Sequence, residues 1–192
     1  MNLERRTPEA ARGTPRLPAA ALLLLLSVAS LAAGPLVRGL KWRFENNRVV
    51  VSFAVADALE REDVRQAILS TTPVTFTFRA EIAKGRTLWK DRVVASRKVL
   101  HTVQYDNLTR QFTVTTAEEG VPTDQRVLAS WEEMAAYMGE VRDLPLASVA
   151  DLKPSEGGYT LRVKVHVYSD FVLWIIPSSV ETPWVSVNLP TP

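Results

Sequence analysis

The sequence predicts a mainly β, α+β domain: an antiparallel β-sheet or sandwich with two packed helices, preceded by an N-terminal hydrophobic export helix. Three observations carry this. Several segments alternate apolar and polar residues with period two, two segments switch to helical spacing, and residues 17–37 carry no charge after a basic start. Strands dominate, connections are short, and helices do not follow every strand, which argues against a doubly wound α/β arrangement.

Arg48 to Val55 is dense in β-branched residues and reads as a strand. Leu59 to Ser70 changes period: Leu59, Val64, Ala67 and Ile68 fall on one helical face. Pro73 ends that segment, because it cannot continue a helix and biases Thr72 away from the helical region. Val74 to Ile82 alternates cleanly, with Val74, Phe76, Phe78, Ala80 and Ile82 on one face. Lys84-Gly85-Arg86 reads as a turn. Trp89, Val93, Ala95, Val99, Val103 and Tyr105 keep one parity over a stretch too long for an unbroken strand, so a bend or bulge is expected near Ser96–Lys98.

Asp106 to Thr109 turns the chain, and Phe112 and Val114 return antiparallel, facing inward. Ala117 to Gly120 reads as a loop. Ser130 with Glu133 forms a capping box that opens a helix to about Val141, with Trp131, Met134, Ala135, Met138 and Val141 as its buried stripe. Leu144 to Glu156, punctuated by Pro145 and Pro154, reads as an ordered loop. Tyr159 to Tyr168 alternates again, with Leu161, Val163, Val165 and Val167 inward, and Val185 to Leu189 is a last short strand.

The leader fixes where this domain is expected to work. Arg5, Arg6, Arg12 and Arg16 precede the charge-free, leucine-rich stretch from Leu17 to Val37. A basic start, an apolar centre and small residues around Ser30 and Ala32 make a secretory signal. The rival is an uncleaved anchor. Only 16 residues separate Pro18 from Pro35, about 24 Å of helix at ~1.5 Å per residue, against a hydrocarbon core of about 30 Å. Both readings give residues 1–37 as signal peptide or signal-anchor and residues 38–192 as a single extracytoplasmic domain. That domain is periplasmic, or anchored to the inner membrane by residues 17–37.

Composition narrows the function classes. The chain holds 23 Lys+Arg and 21 Asp+Glu; four arginines and two glutamates precede residue 17, which leaves 19 of each. A neutral domain lacks the global basic footprint of a nucleic-acid binder. There is no cysteine, so disulfides, a thiol nucleophile and a Cys-type zinc site are all excluded.

Residues 45–189 resemble a bacterial envelope family known as domain of unknown function 4390. The stretches that carry the likeness are Ser70-Thr71-Thr72-Pro73-Val74-Thr75-Phe76, Trp89-Lys90-Asp91, His101-Thr102-Val103-Gln104-Tyr105-Asp106 and Leu108-Thr109-Arg110-Gln111-Phe112. They continue with Val141-Arg142-Asp143-Leu144-Pro145, Leu152-Lys153-Pro154 and Glu181-Thr182-Pro183-Trp184. The resemblance implies a bacterial exported or membrane-anchored protein and no particular activity. Relatives encoded near sensor histidine kinases hint at an envelope or sensory complex. The long leader departs from the family pattern.

No catalytic, cofactor-binding or metal-binding pattern emerges. His101 shares parity with Val99 and Val103 and is expected at the core or its rim, while His166 is expected toward solvent, so the two do not pair. Ser96 lacks a nucleophile-elbow sequence around it. Glu118-Glu119 and Glu132-Glu133 are neighbours in sequence, which does not set the spatial separation a hydrolase needs.

Two features suggest surfaces. Between Arg79 and Lys98 seven basic residues, including Arg92, Arg97 and Lys98, face only Glu81 and Asp91; this is either a guarded sheet edge or a surface for an acidic partner or anionic lipid. Phe171-Val172-Leu173-Trp174-Ile175-Ile176 has no alternation. It is either a fully buried strand or an apolar surface built on Phe171, Leu173, Trp174 and Ile175, with Trp184 packed beside it.

The expected function is a non-enzymatic protein-interaction module with an envelope protein partner, with contact to the membrane surface as a second mode. The alternatives are an envelope hydrolase using His101 and Asp106, and a carrier of a small apolar ligand.

Overall fold

The computed structural model describes residues 35–86, 89–153, 158–169 and 178–190. Its ten strands form two antiparallel sheets. The smaller sheet has the order β1-β2-β7, with β1 at Leu36–Glu45, β2 at Arg48–Ala56 and β7 at Glu140–Ser148. The larger has the order β10-β8-β3-β4-β5-β6, and β9 also pairs with β8. Its strands are β3 (Val74–Arg86), β4 (Trp89–Asp106), β5 (Gln111–Glu118), β6 (Val121–Leu128), β8 (Tyr159–Ser169), β9 (Ser178–Glu181) and β10 (Val185–Leu189). The helices are α1 (Glu62–Leu69) and α2 (Trp131–Met138).

The expected alternation positions the core. Val74, Phe76, Phe78, Ala80 and Ile82 on β3 have no exposed surface, and Leu161, Val163 and Val165 on β8 oppose them equally buried. Val49, Val51 and Phe53 of the smaller sheet join the same core, as do Val64, Ala67 and Ile68 of α1 and Met134 and Met138 of α2. Phe53 meets Phe78 edge-on at 5.9 Å between ring centroids, so the two sheets touch directly through aromatic rings.

Several expectations are corrected. Lys84-Gly85-Arg86 is strand rather than turn, and Arg86 pairs with Trp89. The irregularity in β4 falls at Val94, between the pairs Ile82↔Ala95 and Ala83↔Val93, and not at Ser96–Lys98. The extra residue inverts parity, so Val93 turns outward and is exposed. The segment from Leu144, expected as a loop, begins within β7, where Pro145 opposes Val50 on an edge strand that tolerates a missing N–H. The helix expected to reach Val141 stops at Met138, and Gly139 follows it. A Cβ on Gly139 would lie 3.1 Å from the Ala135 carbonyl oxygen, a contact glycine avoids. The Ser130 Oγ accepts the Glu133 N–H at 3.2 Å, which is the forward half of the expected capping box; the Glu133 carboxylate makes no return bond to the Ser130 N–H.

Strands β1, β6 and β9 were not expected at all. β1 takes in Leu36 and the buried Val37, the last two residues of the charge-free segment.

Candidate functional site

A cleft of about 480 Å³ opens between β4 and β5 of the larger sheet, α2 and β7. Its floor is the inner face of the sheet where the apolar rows give way to His101 on β4 and Thr116 and Glu118 on β5. Helix α2 contributes Glu133 and Tyr137, one turn apart, and β6 contributes Arg126.

These side chains form a layered stack. The His101 imidazole lies nearly parallel to the Tyr137 ring, with centroids 5.4 Å apart and planes at 14°. The Arg126 guanidinium also lies over Tyr137, 4.6 Å from the ring centroid. Asp124 ties the stack together: its Oδ2 accepts from Arg126 Nε at 2.8 Å and from the Tyr137 hydroxyl at 3.0 Å. The Arg126 guanidinium, helped by Tyr137, holds the Asp124 carboxyl below the usual carboxylate range. Tyr137 oxygen also lies 3.0 Å from Thr116 Oγ1.

His101 is only 5 % exposed, as its parity predicts. Its Nδ1 lies 3.3 Å from the Met138 carbonyl oxygen. A carbonyl only accepts, so Nδ1 carries the proton and the neutral ring presents Nε2 as an acceptor. Burial pushes the imidazole pKa down, and the backbone carbonyls of Met138 and Tyr137 oppose that without reversing it. The unfolded chain therefore takes up a proton near pH 6.5 that the folded state resists. Stability contributed by the neutral ring is fully present above that value and is lost as pH falls below it. The slope reaches at most about 1.4 kcal/mol per pH unit. Urea titrations between pH 5 and 8 should show this loss in the wild type and its reduction in His101→Gln.

The carboxylate neighbours are separated by the strand and helix periods. Glu118 faces the cleft, whereas Glu119 Oε1 accepts the Lys98 N–H at 2.7 Å. Glu133 lines the cleft and Glu132 does not. Asp106 is far from His101: its Oδ1 accepts the Leu108 and Thr109 N–H groups at 2.7 and 3.1 Å and stabilises the β4–β5 turn. Five residues of strand, about 17 Å at ~3.3 Å per residue, separate the two, so His101 and Asp106 do not form an acid–base pair. Among the described residues, no group of three or more His, Asp or Glu is placed to hold a metal ion.

A second feature lies on the opposite face of the larger sheet. Glu81 points outward from β3 yet is 5 % exposed. Arg162, directly across on β8, places Nη2 and Nε at 2.8 and 2.9 Å from Glu81 Oε2, and Arg79 Nε lies 3.2 Å from Oε1. Trp184 covers this cluster, its ring 4.9 Å from the Arg162 guanidinium carbon and 5.1 Å from Lys164 Nζ. Lys164 in turn pairs with Glu181.

The Glu181-Thr182-Pro183-Trp184 stretch acquires a structural reason here. It joins β9 to β10 along the β8 edge, and buried Thr182 continues the ladder: Val165 N–H donates to its Oγ1 at 2.9 Å. Thr182 N–H donates to the Val165 carbonyl, also at 2.9 Å. Thr182→Val keeps the shape but strands the Val165 N–H, and should cost about 1–3 kcal/mol in a chemical denaturation measurement.

Arg92, Arg97 and Lys98 are exposed on β4. Phe171, Leu173, Trp174 and Ile175 lie outside the described residues, as does the expected export helix. Trp184 stands over Arg162 and Lys164. Among the described residues, no helix is long and apolar enough to cross a membrane.

The sequence signals for the cleft were partial. His101 and the two glutamate pairs stood out, but nothing in the sequence joins them to Tyr137, Asp124 and Arg126, which β6 and α2 bring in. No curated protein and no solved structure matches the chain. The family model described as Domain of unknown function (DUF4390) matches residues 34–170, well over half of the chain, and the protein belongs to that family.

Proposed function

We propose that this protein is an exported or membrane-anchored module of the bacterial envelope that binds another envelope protein, accessory to an envelope or sensory complex, without catalysing a reaction. The observation that supports this most is topological. β8 and β9 form a hairpin whose last pair is Ser169↔Ser178, so the apolar run Phe171–Ile176 falls in the connection between them. Six consecutive apolar residues in the sequence between two paired strands suit a partner or a bilayer rather than water.

The hairpin end is also the end at which the chain enters the domain. Glu140 of β7 lies by His101, whereas Ser148 lies by Ala95–Arg97, so the two sheets share their ends. Ala54 pairs with Glu140, and Ala56 beyond it pairs with Leu36. In the larger sheet, His101 leads to Val103, which pairs with Val74, and Val74 pairs with Ser169. Leu36 and Ser169 therefore mark one end. Leu108, 95 % exposed in the β4–β5 turn, adds an apolar side chain to that end.

Export is tested by fusing alkaline phosphatase, which is active only outside the cytoplasm, after Pro192. High activity is expected. An inactive but full-length fusion would overturn the extracytoplasmic assignment.

The hydrolase alternative loses its basis with the separation of His101 from Asp106. The apolar-carrier alternative finds little support, because the inward side chains of β2, β3 and β8 fill the space between the sheets.

A further inference from the structure

The cleft beside α2 presents acceptors whose natural complement is absent from its own walls. The guanidinium groups there are already committed. Arg126 is held by Asp124 and by the Tyr137 ring, and Arg142 pairs with Glu140 at 2.7 Å. Asp143 at the rim accepts from Arg43 at 2.8 Å. After these pairs are closed, the Glu118 and Glu133 carboxylates remain without a hydrogen bond or ion pair among the described residues.

A third acceptor lies on the floor. His101 is nine-tenths buried, its Nδ1–H is used by the Met138 carbonyl, and its Nε2 makes no hydrogen bond to another described residue. No fully enclosed side-chain nitrogen or oxygen among the described residues lacks a hydrogen bond, so Nε2 keeps contact with solvent, and His101 lines the cleft. The stack of His101, Tyr137 and Arg126 fixes the imidazole plane, so this lone pair has a set direction.

Glu118 and Glu133 are both exposed at the cleft wall, and together with the neutral imidazole acceptor below them they match a ligand that is positively charged and rich in N–H donors. We propose that the cleft binds a cationic amine or guanidinium group, with Glu118 and Glu133 supplying the charge and His101 Nε2 accepting a hydrogen bond at the floor. A volume of about 480 Å³ suits an aliphatic amine or a long basic side chain. The same chemistry can arrive as a free polyamine or as a lysine or arginine side chain of a protein. The assignment goes beyond the partner reading above and does not rest on it.

The test uses the full chain in a non-ionic detergent, titrated calorimetrically and by the 15N signals of the histidine rings. Two probes are compared: spermidine, and a short peptide blocked at both ends that carries one lysine. Saturable binding of either probe is expected, with a shift of the His101 Nε2 resonance and weakening at higher salt. Tighter binding of spermidine assigns the site to a free amine, and tighter binding of the peptide assigns it to a protein side chain.

Glu118→Gln with Glu133→Gln should weaken binding at least tenfold, while Glu132→Gln, on the same helix but outside the cleft, should leave it unchanged. If the double variant fails to fold, Glu133→Gln alone serves, because the helix cap uses the Glu133 backbone N–H. Glu133→Gln alone should weaken binding at least threefold. The proposal is overturned if neither probe binds saturably. It is equally overturned if Glu132→Gln weakens binding as much as the cleft variants, or if inorganic phosphate binds in preference to both cations.

Discussion

Replacing Phe78 with alanine should destabilise the domain by about 3–5 kcal/mol, the range for emptying a buried aromatic site. Phe78 sits mid-strand on β3 with no exposed surface. Its ring meets Phe53 of the smaller sheet at 5.9 Å, Phe76 at 6.4 Å and His101 at 5.0 Å. It therefore links the smaller sheet to the larger one and to the cleft floor. Neighbouring strands hold the backbone on both sides, so the site cannot collapse around the missing ring. Domains of this kind are stable by about 5–15 kcal/mol in all, so the variant would sit near its unfolding threshold. Urea denaturation should show a lowered midpoint with little change in slope. A loss below about 1 kcal/mol would mean that the sheets do not share this core.

Arg162→Ala should cost about 3 kcal/mol, by a different mechanism. Glu81 is a buried carboxylate whose Oε2 accepts from two nitrogens of Arg162. Deleting the arginine leaves a buried charge with only Arg79, whose side chain is 51 % exposed. Removing one partner of a buried pair costs about 3–5 kcal/mol, and the remaining Arg79 contact sets the expectation at the low end. Arg79→Ala should cost much less, because Arg162 still satisfies Glu81. The double variant Glu81→Leu/Arg162→Met removes both charges and should recover most of the loss, since replacing a whole buried pair by apolar residues is often neutral or better. A double variant as unstable as Arg162→Ala would show that the orphaned charge is not the cause. Arg162 also underlies Trp184, so the alanine variant should raise the exposure of that ring to acrylamide quenching.

Much of the fold was legible because burial and period coincide. β3 and β8 bury one face against the core and leave the other to threonine, arginine and lysine, so their alternation is clean. The helices were legible for the same reason; Pro73 bounded the first, whereas the second was expected to run past Gly139 to Val141 and stops at Met138.

The strands that escaped lack a cleanly alternating buried face. β6 is exposed along nearly its whole length and carries Pro122, Asp124 and Arg126, so it reads as loop although it pairs regularly with β5. β7 was hidden by Pro145, which an edge strand accommodates. β1 was masked by its position directly after the apolar leader, and its Gly39, at φ 63°, breaks the alternation where the register with β2 shifts. The Val94 irregularity was anticipated in kind but misplaced, since either site preserves the inward positions of Val99 and Val103.

The candidate cleft was less legible than the fold. His101 could be placed near the core by parity alone. Its stacking on Tyr137, the clamp by Asp124 and the committed state of Arg126 depend on β6 folding over β5 toward α2, and β6 is the strand with the weakest sequence signal. The Phe171–Ile176 run was the reverse case: its composition was conspicuous in the sequence, and it lies outside the described residues.

The most direct test of the interaction-module reading is crosslinking of the tagged chain in its native cells, followed by recovery from the membrane fraction, for the wild type and for Trp174→Asp with Ile175→Asp. The account predicts one dominant envelope protein with the wild type, lost in the double variant while its melting temperature stays unchanged. Equal recovery by the folded variant, or no enriched envelope protein with the wild type, would contradict it.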